Sequence, residues 1–181
     1  MTRWRIPIRW LPLSVAAASA VLLRLASAEQ NRDACQAPGW DTHAELALFG
    51  GEAAGTGAGG SVDTAPMLEL NRLYNLKLYL AGEVRFAQDP PKAKVAEGSR
   101  GGVIRFAVPA RGIYRITVDV PVWIDVVSAT DGVVNPLDFR GWHACENFRK
   151  SLQYALNSQQ TVTLQISGAQ VDGIKIVIRA L

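Results

Sequence analysis

The chain is poor in the residues on which metal and nucleophilic chemistry usually rest. It has two histidines, His43 and His143, and two cysteines, Cys35 and Cys145. The cysteines stand in no C-x-x-C spacing and neither has a neighbouring cysteine to resolve it, which excludes a dithiol redox motif. No G-x-S-x-G is present, and Gly98-Ser99-Arg100 lacks the small residue that a nucleophile elbow needs. A membrane-spanning helix takes about 20 apolar residues. The N-terminal apolar stretch runs only from Leu11 to Leu23 before Arg24 interrupts it.

What that N-terminus does contain is a leader pattern. Arg3, Arg5 and Arg9 precede the apolar stretch, and Ala26-Ser27-Ala28 follows it as a small-residue cleavage site, so residues 1–28 are expected to be a signal peptide cut after Ala28. Cutting after Ala20 also fits the rule but would leave Val21-Leu22-Leu23 as an apolar N-terminus. Arg32-Asp33-Ala34 before Cys35 is unlike the small apolar tetrapeptide of a lipid-anchored precursor. Removing Arg3, Arg5, Arg9 and Arg24 from 19 basic residues leaves 15 against 16 acidic ones, a net −1. The basic balance of the full chain is therefore a property of its leader and gives no support to nucleic-acid binding or to an anionic membrane surface. The expected location is periplasmic or secreted, with no stable membrane span after cleavage. In an oxidising compartment an isolated pair of cysteines forms a bridge. A Cys35–Cys145 link would stabilise by about 4–5 kcal/mol on the chain-entropy model.

Beyond the leader, Thr42 and Glu45 have the spacing of a capping box ahead of Leu46, Leu48 and Phe49, which predicts a short helix ended by Gly50-Gly51. The Gly/Ala tract from Gly50 to Gly60 has few large side chains to bury and reads as a flexible linker or loop. Its Gly55, Gly57 and Gly60 spell G-x-G-x-x-G, but the strand before and helix after that a dinucleotide site requires are missing.

From Leu73 the period becomes two. Leu76, Leu78 and Leu80 alternate with polar neighbours, as do Val84 and Phe86, Ile104 to Val108, and Tyr114 to Val120 before Pro121. Trp123 to Val127 is a further strand. Val162, Leu164 and Ile166, a loop ending in Asp172-Gly173, and Ile174, Ile176 and Ile178 read as a hairpin. The prediction is an all-β fold: an antiparallel two-sheet sandwich of seven or eight strands, jelly-roll or immunoglobulin-like, with a short N-terminal helix. A barrel is the alternative. Residues 29–65 would be helix and linker, and 66–181 the β domain. The two long connections are Pro90-Pro91 to Gly102 and Asn135-Pro136 to Lys150.

Asp125 interrupts the apolar run Trp123-Ile124-Asp125-Val126-Val127, so it either sits on a solvent face beside an exposed tryptophan or is paired with a base such as Arg149 or Lys150. Arg140, Trp142, His143, Arg149 and Lys150 place a flat aromatic and several donors close together, a mixture suited to stacking on a sugar or gripping an acidic small molecule. The simpler reading is that Trp142 covers the disulfide. Asp119, Asp125, Asp131 and Asp138 are candidates for paired carboxylates, with nothing to rank one pair above another.

Gly112-Ile-Tyr-Arg-Ile-Thr-Val, Val122-Trp-Ile-Asp-Val-Val127, Phe139-Arg-Gly141, Cys145, Arg149-Lys150-Ser151 and Leu164-Gln-Ile-Ser-Gly168 resemble a group of small secreted proteobacterial proteins over roughly residues 73 to 181. Members of the group often carry the label homogentisate 1,2-dioxygenase by transfer, without an established activity. The strand order is also similar to pre-peptidase C-terminal β-sandwich modules, which are non-catalytic. The dioxygenase label would imply two histidines and a carboxylate around iron. Here His43 and His143 would have to join Asp138 or Glu146, brought near by the disulfide, with iron or zinc as the cofactor. The larger cupin of the authentic enzymes has histidine-rich motifs that this chain lacks. The resulting expectation is a non-catalytic module without a cofactor that binds an unknown ligand, a glycan or another envelope component, through the Phe139 to Lys150 loop and its neighbour strand with Trp123 and Asp125. A small metal enzyme and a partner-docking accessory protein are the rivals.

Overall fold

The computed structural model describes residues 29–181, so the expected leader and its cleavage site lie outside the described residues. Helical residues 29–34 (α1) and α2 (His43–Phe49) come first. They are followed by β1 (Ala54–Gly57), β2 (Met67–Leu68), β3 (Leu73–Lys77), β4 (Tyr79–Leu80), β5 (Arg100–Val108), β6 (Gly112–Val118), β7 (Trp123–Ser128), β8 (Gly132–Val134), β9 (Asp138–Gly141), β10 (Lys150–Leu156), β11 (Gln160–Ala169) and β12 (Gly173–Ala180). Sheet one has the order β1-β3-β12-β6-β10-β9. Sheet two has the order β2-β5-β11-β7-β8, and β4 also pairs with β5. The protein is mostly β, and its two sheets pack together.

The sheets are mixed rather than antiparallel, because β1 joins β3 and β2 joins β5 in parallel. Both parallel strands come from the segment between residues 54 and 68. The expected linker is thus ordered structure: Ala54–Gly57 pairs with Tyr74–Lys77, and Gly59 bridges to Val103. Small residues are what let this segment in. A Cβ on Gly59 would lie 2.6 Å from the Ala65 backbone, and one on Gly102 would lie 2.4 Å from the Ala58 methyl carbon.

Alternation predicts most of the strands but not their partners. The expected hairpin of residues 162 to 178 is not one: β11 lies in sheet two and β12 in sheet one. Their apolar faces, Val162, Leu164 and Ile166 against Ile174, Ile176 and Ile178, meet in the same core from opposite sheets. β5 and β6 divide in the same way. Val84 and Phe86 form no strand; Ala81–Glu83 is a 3₁₀ turn there. Conversely, Asp138–Gly141, expected inside a long connection, is the edge strand β9.

Sheet one is covered on its outer side by the N-terminal segment. Cys35, Trp40, Phe49, Leu73, Trp142, Cys145, Phe148 and Val177 form a second buried cluster there, and Cys35 is bonded to Cys145 with Cα atoms 4.7 Å apart. Thr42 is the N-cap of α2, yet its hydroxyl donates to the Cys35 carbonyl rather than capping the helix. Glu45 does not close a capping box either. It is fully buried, with Oε1 accepting from Arg115 Nη1 at 3.1 Å and Oε2 from Arg179 Nη1 at 2.8 Å. Arg115 also donates to the Asp41 carbonyl and lies 4.9 Å from the centre of the Trp40 ring.

Removing one member of a buried ion group leaves the others uncompensated, at a cost of about 3–5 kcal/mol. Glu45→Gln should lower stability by that order in urea unfolding; a loss under about 1 kcal/mol would mean that Arg115 and Arg179 find other partners. Gly59→Ala should cost about 1–3 kcal/mol by overpacking. Gly55→Ala, with open space around its Cβ, should change little in the same experiment.

Candidate functional site

The period of two sends neighbouring residues of β10 to opposite faces of sheet one. On β10, Ser151 turns to the covered outer side, where its Oγ accepts from Trp142 Nε1 at 3.0 Å and contacts Thr117 Oγ1 at 2.9 Å. Lys150, Leu152 and Tyr154 turn the other way, into a cleft of about 290 Å³. The cleft opens where the edges of the two sheets adjoin, at β7 and β8 of sheet two and β9 and β10 of sheet one. Its walls include Trp123, Ile124, Val134, Phe139, Leu152 and Tyr154.

Three expected residues meet there. Trp123, 36% exposed, donates from Nε1 to Asp125 Oδ1 at 2.9 Å. Asp125 Oδ2 accepts from Gln165 Nε2 at 3.1 Å, so the carboxylate is held by neutral donors rather than by Arg149 or Lys150. Lys150 donates to the Val122 carbonyl at 2.9 Å, and its ammonium lies 5.7 Å from the centre of the Trp123 ring. Lys94, from the connection before β5, approaches the same ring at 5.8 Å. Burial, and then the charge of Lys94, push the Lys150 amine below the ordinary lysine range; the Asp125 charge acts in the opposite direction. Burial pushes the Tyr154 phenol up, and the nearby Asp125 charge adds to the shift.

The remaining candidates lie elsewhere. Trp142 is 3% exposed and packs edge-on against Trp40 and Phe148, with the Arg140 guanidinium 5.3 Å from its ring centre, so it closes the outer cover and is not open to a ligand. His143 and Arg149 are exposed on that side, joined by a bond from Arg149 Nη1 to the His143 carbonyl at 2.7 Å. Phe139 opens the expected binding loop and lines the cleft, whereas Leu152, Tyr154, Lys94 and Gln165 were not expected. Counting in twos from Lys150 reaches Leu152 and Tyr154; Lys94 and Gln165 arrive only through the tertiary fold.

The residues offered for a metal have other neighbours or lie exposed in the structure. His43 Nδ1 lies 3.0 Å from Asp41 Oδ1 and its Nε2 lies 3.1 Å from Gln36 Nε2. Glu45, two residues after His43, points into the Arg115–Arg179 pair. Asp138 Oδ1 accepts from the Phe139 amide, and Glu146 is exposed. Among the described residues no three of His, Cys, Asp and Glu form a group able to hold a metal ion. Compared with protein-family models, curated proteins and solved structures, the chain matches none.

A lysine whose folded-state pKa is lowered binds its proton less tightly folded than unfolded. Between the lowered value and the ordinary 10.5, the unfolded chain carries more protons, so stability rises with pH. Below that window, folding bears the cost of the buried charge. Wild type should therefore gain stability on Lys150→Met as pH is raised towards 10.5 in paired urea titrations; a constant difference would place the Lys150 ammonium in full solvent.

Proposed function

We propose that the protein is a non-catalytic binding module of the periplasm or extracellular space, holding a small molecule in the cleft between the sheet edges. The observation that carries it is the cleft itself: a partly enclosed apolar cavity, near the lower end of ligand-site volumes, with Trp123, Asp125 and Lys150 converging on it. The buried disulfide is compatible with that location, and among the described residues no helix is long and apolar enough to cross a membrane. A two-sheet sandwich, of jelly-roll or immunoglobulin-like type with parallel strands added at β1 and β2, belongs to the same proposal. So does membership of the small secreted proteobacterial group.

A partner-docking role is the second reading, favoured by β9, whose four residues are all exposed and whose Phe139 is 65% exposed. A strand edge of this kind can accept a strand from another chain.

The test uses the Trp123 indole N–H as a reporter, by NMR, against neutral saccharides and small carboxylic acids. One class should shift that resonance, and Trp123→Ala or Phe139→Ala should weaken binding at least tenfold. His143→Ala should leave it within twofold. A resonance that no member of the panel moves would sink the binding reading.

A further inference from the structure

The charges around the cleft are unbalanced. Lys94 and Lys150 approach one indole ring, while Asp125, the only acid lining the cleft among the described residues, already has both oxygens engaged by Trp123 and Gln165. Lys150 and Asp125 line the cleft and Lys94 stands outside that lining, so the surplus positive charge lies around the Trp123 ring at the cleft's edge. Like charges held close at a partly desolvated site raise the energy of the empty state, and an anion placed between them lowers it. The same two lysines crowd the approach to the Trp123 ring, so a sugar stacking on that face would have to displace an ammonium group. The lining side chains of Ile124, Val134, Phe139 and Leu152 offer no hydrogen-bond partners to hydroxyl groups.

We propose that the cleft takes a small single-chain carboxylic acid, with its carboxylate beside Trp123 at Lys150 and in the field of Lys94, and its hydrocarbon body against the exposed Phe139 ring. This identification rests on the cleft being the binding site. The cleft lies at the small end of ligand sites, which favours a short acid, and octanoate serves as the probe. Each methylene buried should raise affinity roughly fourfold.

The test titrates octanoate, below micelle-forming concentrations, into the purified protein near neutral pH and follows the Trp123 indole resonance and the binding heat. Butanoate, hexanoate, 1-octanol and n-octylamine are run beside it. Octanoate should shift the resonance and bind at least tenfold more tightly than octanol or octylamine. Affinity should climb about fourfold per methylene from butanoate to octanoate. Lys150→Met should weaken octanoate at least tenfold, and Lys94→Met, at a half-buried position tolerant of change, should weaken it severalfold. Equal binding of octanol or octylamine, a flat chain-length series, or octanoate binding unchanged in Lys94→Met would overturn the proposal. So would an unmoved resonance. If saccharides then move it, the carboxylic acid fails while the binding reading stands; if they too leave it unmoved, both fail.

Discussion

The carboxylate of Glu45, clasped by Arg115 and Arg179, is the contact on which the outer half of the molecule depends. Sheet one carries these two arginines on neighbouring strands, β6 and β12, with Arg115 opposite Arg179 in the ladder. Left uncovered they would be a wet, self-repelling face; covered by apolar residues alone they would be stranded charges. Glu45 resolves both problems because α2 delivers it from above, and the helix is placed by the disulfide and by Thr42 bonding to the Cys35 carbonyl. The cover then dries Leu73, Trp142, Phe148 and Val177. Charge pairing and hydrophobic burial reinforce each other here, since desolvation by the cover strengthens the attraction that holds it down.

The same strand that receives the cover also builds the cleft. β10 shows Ser151 to the covered side and Lys150, Leu152 and Tyr154 to the other. The chain passes from β8 in sheet two to β9 in sheet one through residues 135–137, so the two sheet edges are tied on the side where the cleft lies. Sheet one is thereby fixed from outside by a disulfide-anchored cap and from one edge by a short crossing, which holds the cleft walls in register with each other.

Alternation made most strands legible, because a period of two reports that one face is buried. It does not report which sheet supplies the opposing face. Ile166 and Ile174 therefore look like neighbours in a hairpin when they face each other across the core. The Gly/Ala tract was misread for a related reason. Its residues bury little side chain, but they are small enough for backbones to approach, as Gly59 against Ala65 and Gly102 against Ala58 show. At the candidate site, Trp123, Asp125 and Lys150 were visible as chemistry out of place in apolar runs. Arg140, Trp142, His143 and Arg149 were grouped with them by proximity in sequence, which ignores that one step along a strand changes the face. Lys94 and Gln165 carry no local signal at all, being far from Trp123 along the chain and adjacent only once the sheets have formed.

The disulfide spans 110 residues, which sets an order on events during synthesis. At about 5–20 residues per second, Cys35 precedes Cys145 by roughly 5–20 s. Through that interval it is a solitary thiol with no intramolecular partner, and any disulfide it forms joins it to another molecule. The correct bond can close only after all strands up to β9 have been made. Having a single possible partner removes the hazard of scrambled pairing, but replaces it with a waiting period in which dimerisation through Cys35 is the competing fate.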